Sequence, residues 1–319
     1  MINEEDITVP IYLITGFLEA GKTSFLDFTM KQPYFRIPET TLLINCEEGE
    51  IEYKEEELRT LHTVMESVRD KESFVYTNLR AMHRRHHPAR VILEYNPLWG
   101  VKDLYEMRLP NGWGIVQQIT VIDASTYQLY MNNMKSFIVE MTQNADMVLF
   151  NRCTADMPLA NFRRGIKVVN PACDVQYMGA DGQPMDIFRD EPPYDLSAET
   201  IEIDDVDFGI FFVDVRDNPD RYKGRQVRFR GKVLKSREAG ADFFVPARSA
   251  MTCCADDIQY IGYLCRSEES ASLKEGDWVE VTARVGWEFL PMAQAEEPVL
   301  QAIAIRACDP PAEELVYFN

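Results

Sequence analysis

The segment Gly16-Phe-Leu-Glu-Ala-Gly-Lys-Thr-Ser24 constrains the fold of this chain more than any other feature. It follows the apolar run 11–15 and leads into residues 24–30, which read as a helix. This order of strand, glycine loop and helix is the context that the phosphate-binding pattern G-x-x-x-x-G-K-[ST] requires. Gly16 and Gly21 allow the backbone to turn its N–H groups towards a phosphate chain, and the helix N-terminus adds partial positive charge. The sequence therefore predicts a phosphate site on an α/β fold.

The polar residues of this loop have predicted roles in holding a nucleoside triphosphate. Lys22 is predicted to reach the β- and γ-phosphates and to stabilise charge on the transferring phosphoryl group, and the Thr23 hydroxyl is a predicted Mg²⁺ ligand. The predicted nucleotide-binding residues of the loop are Gly16, Glu19, Ala20, Gly21, Lys22, Thr23 and Ser24.

Composition limits the classes of partner. The formal net charge is −19, and the first 200 residues and the remainder each carry more acidic than basic side chains. This charge disfavours non-specific binding to nucleic acid or anionic membranes. The acidic segment 1–6 does not resemble a signal peptide, no apolar run is long enough to span a bilayer, and seven cysteines do not indicate a disulfide scaffold. We therefore expect a reduced, cytoplasmic protein.

Apolar runs alternate with helical segments through the first half of the chain. After the first run, strands are predicted at 41–45, 90–94, 118–123, 146–151 and 166–170. Residues 125–143 are predicted to form one long helix with Ser125 as its N-cap. This alternation predicts an α/β domain with a doubly wound, mostly parallel sheet.

Acidic residues follow two of the predicted strands. Glu94 ends the strand 90–94, and an acid at the carboxyl end of a buried parallel strand faces the ligand crevice. Glu94 is therefore predicted to orient Mg²⁺ or to act on the attacking water. Glu47 lies in the acidic loop after 41–45 and is either a further Mg²⁺ ligand or part of an exposed turn. The neighbouring Cys46 is either a soft metal ligand or a half-buried thiol.

Residues 8–180 resemble the CobW-like GTPases of the SIMIBI class. The matching segments, in chain order, are Pro10-Ile-Tyr-Leu-Ile-Thr-Gly-Phe-Leu-Glu-Ala-Gly-Lys-Thr23, Cys46-Glu-Glu-Gly-Glu50, Ile92-Leu-Glu-Tyr-Asn96, Val121-Ile-Asp-Ala124, Asn151-Arg-Cys-Thr154 and Val169-Asn-Pro171. The resemblance implies GTP binding with Mg²⁺, slow hydrolysis, and a role as a metallochaperone or regulator with a metalloprotein client. It also implies that Asn151 contacts the base.

The chain departs from that family at two places. The metal-binding Cys-x-Cys-Cys expected after the first switch loop is absent, and the chain has Glu55-Glu-Glu-Leu58 there. Thr154 stands where the family has an aspartate that pairs with guanine, and a hydroxyl cannot replace a bidentate carboxylate. GTP is thus implied by the resemblance, and ATP stays open as an alternative.

The second half has a different pattern. Residues 190–199 are rich in proline and acid and are predicted to link a domain at 1–190 to a domain at 200–319. Apolar residues then alternate with polar ones in 227–233, 278–285 and 299–305, which is typical of half-buried strands. Several short strands over about 110 residues predict a small barrel of OB type.

Residues 205–310 resemble a bacterial domain of unknown function that occurs in permease-associated subunits. Its most specific part here is Cys253-Cys-Ala-Asp256, whose Cys253, Cys254 and Asp256 are candidate ligands for Zn²⁺ or another transition metal. The alternative is a pair of buried structural cysteines. The basic run 221–237 suggests single-stranded nucleic acid, but the overall acidity favours a solvated strand face, and no nucleic-acid partner is expected.

These observations predict that the protein is a nucleoside triphosphatase that acts as a switch in metal handling. Two other functions stay open. One is a non-catalytic scaffold in which nucleotide controls docking on a membrane permease subunit. The other is a metal or redox sensor that works through Cys253 and Cys254. The sequence leaves the oligomeric state open.

Overall fold

The computed structural model describes residues 7–49, 53–185, 191–235, 240–251, 258–291 and 293–316. The chain divides into two compact units, Met1–Ile187 and Phe188–Asn319. Within the described residues, no helix is long and apolar enough to cross a membrane.

The first unit is built on a seven-stranded sheet in the order β3-β2-β4-β1-β5-β6-β7, and every neighbouring pair in it is parallel. Its strands and α-helices are β1 Val9–Thr15, α1 Lys22–Lys31, β2 Thr41–Asn45, α2 Glu55–Thr60, β3 Thr63–Ser67, α3 Tyr76–His86, β4 Arg90–Glu94, α4 Val101–Glu106, β5 Trp113–Asp123, α5 Ala124–Asn133, α6 Lys135–Thr142, β6 Met147–Cys153, α7 Leu159–Val169 and β7 Asp174–Gly179. Short 3₁₀ helices lie at Pro33–Phe35, Lys71–Ser73 and Pro97–Trp99. This architecture confirms the predicted α/β class.

The central strands are buried on both faces. All five residues of β2 and all five of β4 are buried, as is typical of parallel strands covered by helices on both sides. Adjacent residues of β1 join different apolar clusters: Leu13 packs with Phe150, while Ile14 packs with Leu26. Because side chains alternate along a strand, these two clusters form the cores on opposite faces of the sheet.

Two local predictions in this unit were wrong. The predicted strand 166–170 is largely the end of α7, because Leu159, Phe162 and Ile166 lie on one buried helical face. The predicted single helix 125–143 is two helices that meet at Met134, whose φ of −138° is not helical.

The N-cap of the first of these helices, α5, also lies two residues before the predicted Ser125. Asp123 is the cap, since its carboxylate accepts from the Ser125 N–H at 2.9 Å. At the other end of α5, the Asn133 side chain donates to the Leu129 carbonyl at 2.8 Å, a contact that competes with continued helix.

The second unit is mostly β structure. Its strands and α-helix are β8 Thr200–Glu202, α8 Phe208–Asp217, β9 Gln226–Leu234, β10 Phe243–Met251, β11 Ile258–Ile261, β12 Leu264–Arg266, β13 Trp278–Leu290, β14 Ala295–Ala307 and β15 Leu315–Val316. Short 3₁₀ helices lie at Asp205–Asp207, Pro219–Arg221 and Glu268–Ser272.

Five of these strands close a barrel. The ring runs β9-β10-β12-β14-β13 and returns to β9, and β12 with β14 is its parallel pair. Numbered along the chain, the ring order is 1-2-3-5-4, which is the arrangement of the OB barrel. The prediction of a small OB-like barrel is therefore confirmed.

The basic face of this barrel carries ion pairs. Along β9, Val227 and Phe229 point into the core, while Arg228 lies outside and pairs with Glu202 at 2.9 Å. Arg230, on the same outer face, pairs with Asp205. These contacts show how acidic side chains neutralise part of the basic run.

Candidate functional site

The candidate site lies where the parallel strands of the first unit end. Asn45 of β2 stands opposite Glu94 of β4, and Asp123 of β5 stands opposite Asn151 of β6. The chain leaves β1 at Thr15 and turns through the glycine loop into α1 beside these residues. A ligand crevice at the carboxyl ends of the strands is the usual location for this kind of sheet.

Two glycines are required by the close approach of neighbouring atoms. Gly16 has a φ of +142°, and a Cβ built on it would lie 2.1 Å from the Val121 carbonyl oxygen of β5. Gly21 has a φ of +102°, and its Cβ would lie 2.2 Å from the Asn151 Nδ2. A side chain at Gly16 would displace the loop from the backbone of β5, and one at Gly21 would displace the Asn151 side chain and strain the positive φ. The loop is thus seated directly against the strands that supply the rest of the site.

An open pocket of 280 Å³ lies over the loop and the start of α1. The predicted residues that line it are Glu19, Ala20, Gly21, Lys22, Thr23, Ser24, Glu47 and Glu94. Gly16 and Asn151 are not among its lining residues, and Asn151 instead donates to the Ala20 carbonyl of the loop. The pocket is also lined by Asp123 and Arg152, which the sequence analysis did not single out.

Lys22 is turned back onto its own loop. Its side chain is 3% exposed, and its Nζ donates to the carbonyl oxygens of Gly16 at 2.8 Å and Phe17 at 2.9 Å. The same Nζ lies 2.6 Å from the Glu47 Oε2. The lysine is therefore held at the centre of the loop, with a carboxylate directly beside it.

Glu94 is a buried acceptor for three side chains. It is 2% exposed, and its Oε1 accepts from the Thr23 hydroxyl at 3.0 Å. Its Oε2 accepts from the Tyr53 hydroxyl at 2.7 Å and from the Asn45 Nδ2 at 3.2 Å. Burial, together with the Glu94 carboxylate, raises the pKa of Tyr53 above its ordinary value, so the phenol stays protonated and donates. This places a fixed carboxylate beside the Thr23 hydroxyl.

Glu47 is held on three sides. Burial raises the pKa of the Glu47 carboxyl, and the nearby Lys22 ammonium opposes this effect. The Glu47 N–H donates to the Asn45 Oδ1 at 3.1 Å, and its carbonyl accepts from Arg69 at 2.6 Å. Glu47 is therefore part of the site and not an exposed turn residue. Its carboxylate contacts Lys22.

Cys46, the residue before it, is 2% exposed. Burial raises the pKa of this thiol far above its ordinary value, which disfavours the thiolate that a metal would require. Cys46 is therefore more deeply buried than the half-buried thiol that the sequence suggested.

Asn151 ties the loop to β6. Its Nδ2 donates to the Ala20 carbonyl at 3.1 Å, and its Oδ1 accepts from the Arg152 N–H at 2.9 Å. Arg152 has a φ of +55°, donates to the Glu19 carbonyl at 2.8 Å and forms an ion pair with Asp123. The segment after β6 is thus locked to the phosphate loop.

Thr154 lies further along the same segment. Its hydroxyl forms a hydrogen bond with the exposed Asp156 carboxylate, and this bond lowers the pKa of Asp156. A carboxylate therefore stands two residues beyond the position where the CobW-like pattern has its aspartate.

Several residues of the site were not found from the sequence. Asn45 and Asp123 have a usable signal, because each ends a predicted buried strand. Tyr53 and Arg69 have none, since their roles depend on contacts with residues 41 and 24 positions away in the chain. Such contacts arise only when the strands assemble.

The candidate transition-metal ligands Cys253, Cys254 and Asp256 lie outside the described residues. Across the parts of the chain that the structure describes, no group of three or more His, Cys, Asp or Glu side chains is arranged to hold a metal ion. Cys265 of β12 is fully buried in the barrel, and burial raises the pKa of its thiol to about 12.

Several solved structures are similar to this chain, including those of HypB and YjiA. The hydrogenase maturation factor HypB from Archaeoglobus fulgidus is 14% identical over 56% of this chain and 85% of that chain, with a TM-score of 0.41. The Zn(II)-bound YjiA GTPase from E. coli is 12% identical over 92% of this chain and 88% of that chain, also with a TM-score of 0.41. At this level of similarity, neither protein assigns an activity to this chain.

Comparison with curated proteins finds no match. Comparison with protein families matches the second unit, because residues 185–318 fit the family described as the DUF1980 C-terminal domain. This match confirms the predicted resemblance of the second half to a domain of unknown function. Residues 185–318 are thus similar to the DUF1980 C-terminal domain.

Proposed function

We propose that the first unit binds a nucleoside triphosphate with Mg²⁺ and hydrolyses it slowly, and that GTP is the preferred nucleotide. The observation that carries this proposal is the glycine loop seated on the strand ends, with Lys22 at its centre and Thr23 bonded to the buried Glu94. This is the arrangement of groups that phosphoryl transfer in phosphate-loop proteins uses.

The residues present fit such a ligand. Gly16 and Gly21 have no Cβ to meet the Val121 carbonyl oxygen or the Asn151 Nδ2, so the loop can lie against the strand ends and turn its N–H groups towards a phosphate chain. Thr23 and Glu94 present hard oxygen atoms of the kind that Mg²⁺ prefers. They would hold the ion, which when bound neutralises charge on the phosphate oxygens.

The chain's own groups then have distinct tasks. The loop amides and the Lys22 ammonium donate to phosphate oxygens and stabilise the charge that spreads over them in the transition state. Glu94 holds the Thr23 hydroxyl in one orientation and is the group beside which an attacking water is ordered. Asn151 keeps the loop at a constant distance from β6.

The choice of GTP over ATP is the finer part of this proposal. It is supported by the CobW-like motif order and by Asn151 at the family's base-contacting place. The Asp156 carboxylate, ionised and close to Thr154, is the acid available to a guanine in that loop. ATP binding of equal strength would show that this loop does not read the base.

A role in metal handling extends the proposal to the whole chain. It is supported by the resemblance of residues 8–180 to CobW-like proteins. YjiA, one of the similar proteins, is a GTPase whose structure was solved with Zn(II) bound. In this chain, the residues that would bind the metal are Cys253, Cys254 and Asp256, with a metalloprotein client as partner.

The proposal is tested by replacing Lys22. Calorimetric titration with GTP and ATP should show that Lys22→Ala loses nucleotide binding, while Lys31→Ala does not. Lys31 is a matched control, because it lies in the same helix and forms surface ion pairs with Asp27 and Glu57. Unchanged affinity in Lys22→Ala would overturn the proposal. Phosphate release in a single turnover then separates a hydrolase from a non-catalytic scaffold.

A further inference from the structure

The contact between Lys22 and Glu47 has a consequence for nucleotide binding. An ammonium group has three N–H donors. Three oxygen atoms lie within 2.9 Å of the Lys22 Nζ, namely the carbonyl oxygens of Gly16 and Phe17 and the Glu47 Oε2. A phosphate oxygen that approaches the Nζ therefore competes with these oxygen atoms for the ammonium group. Of the three, the Glu47 carboxylate carries the negative charge that a phosphate would replace.

Glu47 is well placed to compete with a phosphate for Lys22, because the contact between the two side chains is buried. The two side chains are 9% and 3% exposed, in contrast to the surface pairs of the same unit. The backbone of Glu47 is anchored by Asn45 and Arg69, so the carboxylate is aimed into the loop by fixed neighbours. An exposed pair contributes little, whereas opening a buried pair leaves uncompensated charge and is costly unless a new partner replaces the old one.

The structure also provides a place for the displaced carboxylate. A second pocket, of 290 Å³, lies on the other side of the Glu47 side chain. Both pockets are lined by Glu47, and the second is also lined by Arg69. A rotation of the Glu47 side chain would therefore exchange one cationic partner, Lys22, for another, Arg69. Two such positions make the Glu47 side chain a two-state element.

We propose that the Glu47 carboxylate is an internal competitor that occupies the phosphate position at Lys22 and moves towards Arg69 when nucleotide binds. This inference rests on the proposed function and adds a regulatory step to it. The free energy of nucleotide binding includes the cost of opening this contact. Apparent affinity is therefore reduced by the fraction of molecules in which the contact is closed.

The test uses the full-length chain, its Glu47→Gln variant and fluorescent N-methylanthraniloyl derivatives of GTP, GDP and ATP. A chelator removes Mg²⁺, so that no ligand role of Glu47 contributes. Glutamine keeps the size and an acceptor oxygen for Lys22 but removes the charge. We expect it to bind nucleotide about tenfold more tightly. Glu55→Gln is the matched control, because Glu55 is 79% exposed and pairs with Arg59 on the surface of α2; its affinity should stay near that of the wild type.

A second measurement does not depend on a variant. The association rate of the wild-type chain should level off at high nucleotide concentration, where opening of the Lys22–Glu47 contact becomes limiting. Equal or weaker binding by Glu47→Gln, or a wild-type rate that rises linearly throughout, would overturn this inference while leaving nucleotide binding intact. Failure of both chains to bind any of the nucleotides would overturn the proposed function as well.

Discussion

Replacing Glu94 separates its structural contribution from its catalytic one. In Glu94→Ala, the donors Thr23, Tyr53 and Asn45 all lose their acceptor. A buried donor left without a partner costs about 1–3 kcal/mol, and the partly exposed Thr23 can turn to water. We therefore expect a loss of about 2–5 kcal/mol from the free energy of unfolding. That loss is large beside the total of about 5–15 kcal/mol typical of a native protein.

Glu94→Gln should behave differently. Its carbonyl oxygen can accept from Tyr53 and Asn45, and its amide can donate to the Thr23 hydroxyl, which rotates to accept. Each donor keeps a partner, so the free energy of unfolding should change by less than about 1 kcal/mol. The negative charge beside Thr23 is lost, and Mg²⁺-dependent hydrolysis should fall by about 100-fold or more.

Urea unfolding followed by circular dichroism measures the free energy of unfolding, and single-turnover phosphate release measures the rate of hydrolysis. The two variants serve as controls for each other, because they remove the same charge but only Glu94→Ala removes the acceptor. The reasoning would be refuted if Glu94→Ala were as stable as the wild type. It would also fail if Glu94→Gln hydrolysed nucleotide at the wild-type rate.

Two further predictions follow from other contacts of the first unit. Gly16→Ala places a Cβ 2.1 Å from a backbone oxygen of β5, so calorimetry should show at least about tenfold weaker nucleotide binding. Gly182→Ala also has a positive φ but open space around it, and its nucleotide affinity should be unchanged. Burial would raise the pKa of Glu66, but hydrogen bonds from His86 at 2.6 Å and Arg85 at 2.5 Å outweigh it and lower this pKa. Glu66 thus stabilises the fold above the unfolded pKa of about 4.3, and the gain disappears as pH falls through the folded value. Glu66→Gln should cost about 0.5–1 kcal/mol at neutral pH and nothing in acid, and equal loss at both pH values in thermal unfolding would contradict this.

Much of the fold could be predicted because its signals are local. The glycine loop, the fully apolar runs of β2 and β4, and the alternation in β9 each lie within a few neighbouring residues. Local signals failed where a short apolar run is compatible with either a strand or a helix. The apolar end of α7 was predicted as a strand because the prediction did not include the buried helical positions upstream, Leu159 and Phe162.

The candidate site divides in the same way. The sequence by itself determined which residues form the phosphate loop and that Glu94 ends a neighbouring strand, because motif and strand are contiguous in the chain. Only the tertiary structure decided that Lys22 faces Glu47, and that Asn45, Tyr53 and Thr23 share the Glu94 carboxylate. Lys22 and Glu47 are 25 positions apart in the chain, and Thr23 and Glu94 are 71 positions apart. Parallel strands bring these pairs together through crossover connections, which no local sequence pattern encodes. The phosphate loop can therefore be predicted from the sequence, whereas the contact of its Lys22 with Glu47 is set by the tertiary structure.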